Sequence, residues 1–134
     1  MTWNLKEDRP IYVQIVETLR MRIVSGVYPP GSRIPSVREL AAEAGVNPNT
    51  MQRALADLER MELISTQRTT GKTVTEDESR ILSLKESIAE EETKIYFVKM
   101  GELGFDHRQI ADFVKKAADG ENNEIGGYTL MGGE

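Results

Sequence analysis

The sequence predicts a mainly α-helical fold with one small β-hairpin, followed by a short C-terminal pair of helices. Three observations predict it. Apolar residues recur at helical spacing in five segments, and strand-forming residues cluster on both sides of one glycine turn. The charge balance also changes near residue 75: residues 1–75 hold ten cations and eight anions, whereas residues 76–134 hold seven and fourteen. We therefore expect an N-terminal domain over 1–75, a helical domain over 76–118 and a flexible glycine-rich tail over 119–134.

The first two helices follow from apolar spacing and from residues typical of helix ends. The first is expected over residues 11–25 and stops at Gly26. The second opens at Ser36, whose spacing to Glu39 is that of a capping box, in which each side chain accepts a hydrogen bond from the other residue's backbone N–H. Gly45 ends it, because glycine readily adopts the left-handed conformation found there.

A third helix and a hairpin complete the N-terminal domain. Asn47 is a favourable N-cap and Pro48 suits the first helical position, so the third helix begins almost at once. Its apolar residues fall on one side, which leaves a polar, partly cationic face that starts with the amides of Asn47 and Asn49. Residues 63–67 and 72–74 predict two short strands joined by a turn over 68–71, which together form a hairpin with a cationic tip.

The C-terminal half predicts one long helix and one short one. The long helix of about 20 residues begins at a cap on Thr75 or on Ser79. Asp106 and Gln109 have capping-box spacing at the start of the last helix. The apolar seam of these helices is either an intrachain core or a dimer contact, and we favour a homodimer because one helical hairpin cannot bury it on both sides. The expected interface residues are Ile81, Leu84, Ile88, Ile95, Val98 and Phe113.

Composition excludes several classes of protein. There is no cysteine and only one histidine, so disulfides, cysteine or histidine-cluster metal sites and thiol nucleophiles are not expected. No nucleophile–base pair is evident, and we expect neither an enzyme nor a cofactor. No apolar run approaches the roughly 20 residues of a membrane span, and the N-terminus lacks a signal-peptide pattern. A cytoplasmic protein without a membrane partner is expected.

Three helices and a hairpin, with a two-residue turn at Gly45 and Val46, form the pattern of a winged helix-turn-helix. The major groove of DNA admits one helix, and residues at the start of that helix reach base edges. A cationic hairpin can enter the neighbouring minor groove. The alternative is a winged helix that binds a protein partner, for which the polar face of the third helix is poorly suited.

Three runs carry a resemblance to a known family. They are Pro10-Ile-Tyr-Val-Gln-Ile15, Pro30-Gly-Ser-Arg-Ile-Pro-Ser-Val-Arg-Glu-Leu-Ala41 and Gly45-Val-Asn-Pro-Asn-Thr-Met-Gln-Arg-Ala-Leu55. Residues 10–74 resemble the DNA-binding domain of GntR-type bacterial transcription regulators. The Asn-Pro-Asn-Thr run and the short C-terminal half are similar to the YtrA subfamily, whose members dimerise through a small two-helix domain.

The resemblance implies a dimeric repressor that binds double-stranded DNA at a pseudo-palindromic operator, in the subfamily often that of a transporter operon. A small-molecule effector stays an open question. Arg53 has a competing expectation, an ion pair with Asp57 one turn further along the helix. The motif positions and the cationic hairpin give the expected DNA-contacting residues: Arg33, Ser36, Arg38, Asn47, Asn49, Thr50, Gln52, Arg53, Arg68, Gly71 and Lys72.

Overall fold

The computed structural model describes residues 3–120. Within this range it confirms the predicted class, with five helices and one antiparallel two-stranded hairpin. The elements are α1 (Ile11–Val24), α2 (Val37–Ala44), α3 (Pro48–Arg60), β1 (Ile64–Gln67), β2 (Gly71–Val74), α4 (Glu78–Glu102) and α5 (His107–Asp119). Apart from its first two residues, the tail expected over 119–134 lies outside the described range. None of the described helices is long and apolar enough to cross a membrane.

The starts of α2 and α3 are fixed by the predicted caps. The Ser36 hydroxyl accepts a hydrogen bond from Glu39 N at 3.1 Å, and Ser36 N donates to Glu39 Oε1 at 2.8 Å. Gly45 ends α2 with φ +71°, a left-handed value suited to glycine. The Asn47 side chain then accepts from Asn49 N at 2.7 Å. These contacts set the tight turn that separates the two helices.

The core of the N-terminal domain lies between α1, α2, α3 and the inner ends of the strands. Leucine, isoleucine and methionine side chains fill it, because the apolar stripes of the three helices face each other. Its fully buried larger members are Ile15, Leu19, Leu40, Met51, Leu55, Leu58 and Val74. Burial of side chains of this size contributes about 1.5–3 kcal/mol each, so this core fixes how α3 is presented.

The hairpin is attached to the segment that precedes α2. Strand β2 pairs with β1 in the register Ile64 with Val74 and Gln67 with Gly71. On its other side, Lys72 O accepts from Ile34 N at 3.0 Å, and Val74 N donates to Ser32 O at 2.9 Å. The residues that lead into α2 therefore hold the hairpin in place.

The chain divides into two compact units, one ending at Ser87 and the next beginning at Ile88. The first unit extends twelve residues past the expected limit at 75, because Ile81 and Leu84 pack against the N-terminal core. The expected cap of α4 on Thr75 or Ser79 was wrong. The Asp77 carboxylate accepts from Ser79 N at 3.1 Å and from Arg80 N at 3.2 Å, and so it caps the helix instead.

The second unit has a small core of its own. Asp106 and Gln109 form the predicted capping box at the start of α5. Ile110 is completely buried, and the rings of Phe105 and Phe113 meet edge to face with centroids 5.0 Å apart. Such aromatic pairs add about 0.5–1.5 kcal/mol beyond the area they bury. A few large side chains thus order this unit.

The end of α3 carries backbone strain that yields a first prediction. Glu62 has φ +61°, while Leu63 N donates to Leu58 O and Glu62 N donates to Glu59 O. This is a helix terminus at which glycine is preferred, because the left-handed conformation costs other residues roughly 1–2 kcal/mol. Glu62→Gly should stabilise the chain by about 1 kcal/mol in urea unfolding.

The matched control is Glu62→Ala, which keeps the strained Cβ. Like the glycine variant, it removes the exposed ion pair with Arg80, whose N–O distance is 3.1 Å. Such pairs contribute about 0–1 kcal/mol. If alanine stabilised the chain as much as glycine does, the strain explanation would be wrong.

Candidate nucleic-acid interface

The start of α3 presents polar side chains to solvent. Asn49, Gln52 and Arg53 are exposed, Thr50 is half-buried, and the opposite side of the helix is buried in the core. Asn47 is also exposed, but its side-chain oxygen Oδ1 accepts the capping hydrogen bond. Its side-chain NH₂ group is therefore left as the free donor. The predicted amide-bearing face therefore exists and is held by a rigid, capped helix start.

The start of α2 adds a cation close to a constrained carboxylate. Arg38 is exposed at the second position of this helix, next to the Ser36–Glu39 capping box. Hydrogen bonds from the backbone and then the hydroxyl of Ser36 lower the pKa of Glu39, and the nearby Arg33 charge lowers it further. Glu39 is thus held ionised by its cap, and Ser36 is committed to a structural contact.

Pairing along β2 brings Arg33 to the hairpin. The backbone of Arg33 forms an isolated antiparallel β-bridge with Thr73. A Cβ placed on Gly71 would lie 3.5 Å from Arg33 Nε. Gly71 itself has φ +83°, which favours glycine at the end of this turn. Arg33 and Gly71 are accordingly neighbours at the hairpin, and Arg68 is exposed in its turn.

Lys72 differs from its expected position. Its Nζ lies 3.3 Å from Glu59 Oε2 and 2.9 Å from Thr66 Oγ1, so the ammonium faces α3 and is mostly buried. A hydrogen bond from the Thr66 hydroxyl, together with Lys72, outweighs burial and lowers the pKa of Glu59. The predicted cationic tip is therefore carried by Arg68, while Lys72 ties the hairpin to the end of α3.

The cations of the N-terminal domain fall into two groups. Arg9, Arg22, Arg60 and Lys72 form salt bridges with Glu17, Glu43, Asp57 and Glu59, respectively. The other six form none with any residue from 3 to 120: Lys6, Arg20, Arg33, Arg38, Arg53 and Arg68. The alternative considered for Arg53, an ion pair with Asp57, is not formed, and Asp57 pairs with Arg60 instead. The four predicted DNA-contacting arginines in this second group thus form no salt bridge within the described chain.

Sequence reasoning missed one contact at this surface. The Arg53 guanidinium lies over the ring of Tyr12 on α1, with 3.7 Å between Cζ and the ring centroid. Tyr12 fitted the apolar stripe of the first helix, and its distance of 41 residues from Arg53 leaves no local spacing signal. Only the packing of α1 against α3 could reveal the pair.

A helix-turn-helix whose second helix shows amides and an unpaired arginine, flanked by a hairpin with further unpaired arginines, defines a winged-helix DNA-binding regulator. Residues 11–74 match the family described as "Bacterial regulatory proteins, gntR family". The chain belongs to this GntR family of bacterial transcription regulators.

Relatives support the assignment beyond the DNA-binding domain. The chain is 32% identical to the transcriptional regulator YhcF of Bacillus subtilis over 87% of its own length and 97% of that protein. It is 30% identical to the transcriptional repressor YtrA of the same organism, over 83% and 86%. A GntR-family regulator from Listeria monocytogenes matches in structure with a TM-score of 0.77 and 45% identity, over 84% of this chain and 98% of that one. The predicted relationship to YtrA is thereby confirmed.

Proposed function

We propose that the chain is a dimeric repressor that binds a pseudo-palindromic operator through two copies of this interface. The observation that carries the proposal is the set of unpaired arginines beside the exposed start of α3: Arg33, Arg38, Arg53 and Arg68. A guanidinium without a salt-bridge partner is available to bind a DNA phosphate, which releases the counterions held there. In a protein with a net charge of −5, such local placement replaces a generally basic surface.

Each element has a distinct proposed task. The α3 helix enters the major groove, where Asn49 and Gln52 can pair with adenine edges. Arg38 at the start of α2 and Arg33 beside the hairpin bind phosphates of the flanking DNA backbone. Arg68 at the hairpin turn reaches the adjacent minor groove. Ser36 and Asn47 act mainly by fixing the helix starts that carry these groups.

The proposed dimer uses the apolar surface of the second unit. Ile95 and Val98 on α4 are 46% and 61% exposed, and Phe113 on α5 is 43% exposed. Phe113 also borders a groove of about 280 Å³ that is lined with aromatic and polar side chains. Burying such side chains in a second copy gains about 25 cal/mol per Å² of apolar area. Of the expected interface residues, Ile81 and Leu84 are partly used by the first unit's core.

Two finer points of the proposal follow from similarity to related proteins. YtrA of Bacillus subtilis is named a repressor, and we extend that direction of control to this chain. The proposed targets include a transporter operon, as the subfamily resemblance implies. Action on a bacterial chromosome places the proposed site of action in the cytoplasm.

The decisive experiment is selection of bound duplexes from a random pool by the full chain. Enrichment of a two-fold symmetric sequence is expected, with affinity that falls steeply as salt rises. If no sequence is enriched and binding is insensitive to salt, the repressor proposal fails. A winged helix that binds a protein partner would then be the better reading.

Arg38→Ala tests the proposed contact between Arg38 and the DNA phosphate backbone. Loss of this unpaired guanidinium should weaken operator binding about tenfold at every sequence and reduce the salt slope by about 1, measured by fluorescence anisotropy. Gln52→Ala should instead relax the base preference at one position of each half-site. Arg60→Ala is the matched control, because Arg60 is already paired with Asp57. An equal loss in Arg60→Ala would contradict a specific role for Arg38.

A further inference from the structure

The contact between Tyr12 and Arg53 joins α1, which is not proposed to touch DNA, to α3, which is proposed to enter the major groove. Arg53 lies on the outward side of α3, one turn after Asn49. Tyr12 is in the first turn of α1, half-buried beneath the guanidinium. At 3.7 Å from ring centroid to Cζ the two groups are in direct cation–π contact. Arg53 is nevertheless exposed, so the ring covers part of it and leaves the rest accessible.

The guanidinium has no competing partner among residues 3–120. The carboxylate nearest in sequence spacing, Asp57, is bound by Arg60. An arginine normally loses much side-chain freedom when it docks on a ligand, and a contact with a rigid ring removes part of that freedom beforehand. Arg53 is therefore restrained by Tyr12 and has no salt-bridge partner within the described residues.

We infer that Tyr12 is a positioning residue for DNA recognition, whose ring holds Arg53 in the orientation that contacts the operator. The inference rests on the proposed function. The ligand chemistry is a pair of acceptor atoms in one plane, which is offered by a phosphate group or by the O6 and N7 edge of guanine. Tyr12 itself need not touch DNA, since its ring acts through the guanidinium.

The frame of Tyr12 is itself fixed by the sequence around it. The buried Gln14 side chain accepts from Lys6 N at 2.7 Å, and it donates to Lys6 O at 2.6 Å and Arg9 O at 3.0 Å. These bonds anchor the segment before α1 on that helix. The ring under Arg53 consequently belongs to a rigid start of α1, as a positioning role requires.

The test is a double-mutant cycle on the selected operator, using full-length chains and fluorescence anisotropy. Tyr12→Leu removes the ring and should weaken binding about 2- to 5-fold, the loss of one cation–π contact. In an Arg53→Ala background the same change should have no effect, because there is nothing left to position. Tyr12→Phe keeps the ring and should bind within twofold of the wild type. Thermal unfolding midpoints of all variants check that the fold is unchanged.

The Arg53→Ala variant also shows whether the arginine contacts a DNA phosphate or a guanine base. If Arg53 contacts phosphate, Arg53→Ala lowers the salt slope by about 1 at unchanged sequence preference; if it contacts guanine, preference relaxes at one position of each half-site. Equal effects of Tyr12→Leu in both backgrounds would overturn the inference, as would unchanged binding by Arg53→Ala. Those results leave the wild-type operator preference intact, whereas a wild type without preference overturns the proposed function as well.

Discussion

Val98→Glu is expected to reduce affinity for a two-half-site operator about 100-fold or more. The side chain is 61% exposed on α4, so a carboxylate there does not disturb the interior of the unit. In the proposed dimer, however, it would be buried against apolar groups of the second copy without a partner charge, which strongly disfavours association. Loss of the dimer separates the two DNA-binding units, and linked binding typically adds a factor of 10² to 10⁴ to affinity.

The measurement combines sedimentation with DNA binding. The Val98→Glu chain should sediment as a monomer. Its affinity for a duplex that carries a single half-site should equal that of the wild-type chain. Leu82→Glu is the matched control: the residue lies on the same helix, is 53% exposed, and is outside the expected interface. A Val98→Glu chain that remained dimeric, or that lost half-site binding equally, would contradict the assignment of this surface.

Most of the fold was accessible from the sequence because its signals are local. Helix caps such as Ser36–Glu39 and Asp106–Gln109 depend on residues three positions apart, and the structure contains both. The hairpin is marked by strand formers around Gly71. Asp77 was missed as the cap of α4, because Thr75, Asp77 and Ser79 are all capable of capping and sequence spacing does not rank them.

The interface was less accessible, because its details depend on contacts between distant segments. The sequence showed that cations cluster in the N-terminal domain, but not which of them are neutralised. Lys72 reads as a wing cation until Glu59, thirteen residues earlier, is seen beside it. For Arg53 the sequence left an ion pair with Asp57 as an alternative to DNA contact, and it gave no sign of the contact with Tyr12. Which arginines stay unpaired is decided by tertiary packing and not by spacing along one helix.

An ion pair between a buried arginine on α1 and a solvent-exposed carboxylate on α2 gives the second large prediction. Arg22 is 6% exposed, and its guanidinium lies 2.9 Å from Glu43 Oε1 and 2.7 Å from the Tyr28 hydroxyl. Glu43 also accepts from Trp3 Nε1 at 2.8 Å, and the Trp3 ring lies 4.4 Å from Arg22 Cζ. Glu43→Ala would leave the buried guanidinium without its counter-charge. Because Glu43 itself is reached by solvent, the expected cost is about 1.5–3 kcal/mol of unfolding free energy in urea, the loss of hydrogen bonds to a charged group.

A second background makes this prediction specific. In Arg22→Met, a long apolar side chain replaces the charge, so adding Glu43→Ala to that variant should cost much less than in the wild type. Equal costs in the two backgrounds would show that Glu43 does not stabilise the chain through Arg22.

The pH dependence follows from the same pair. Burial opposes ionisation of Glu43, but hydrogen bonds from Trp3 and Arg22 outweigh it and lower its pKa in the folded chain. A lowered carboxyl pKa contributes stability above the unfolded-state pKa of about 4.3, which is lost as the pH falls toward the folded-state value. The gap between wild type and Glu43→Ala in urea unfolding should therefore be widest near pH 7 and narrow below about pH 4. A gap that stayed constant with pH would mean that the Glu43 charge contributes nothing, and that the packing of Trp3 and Tyr28 against Arg22 holds α1 and α2 together.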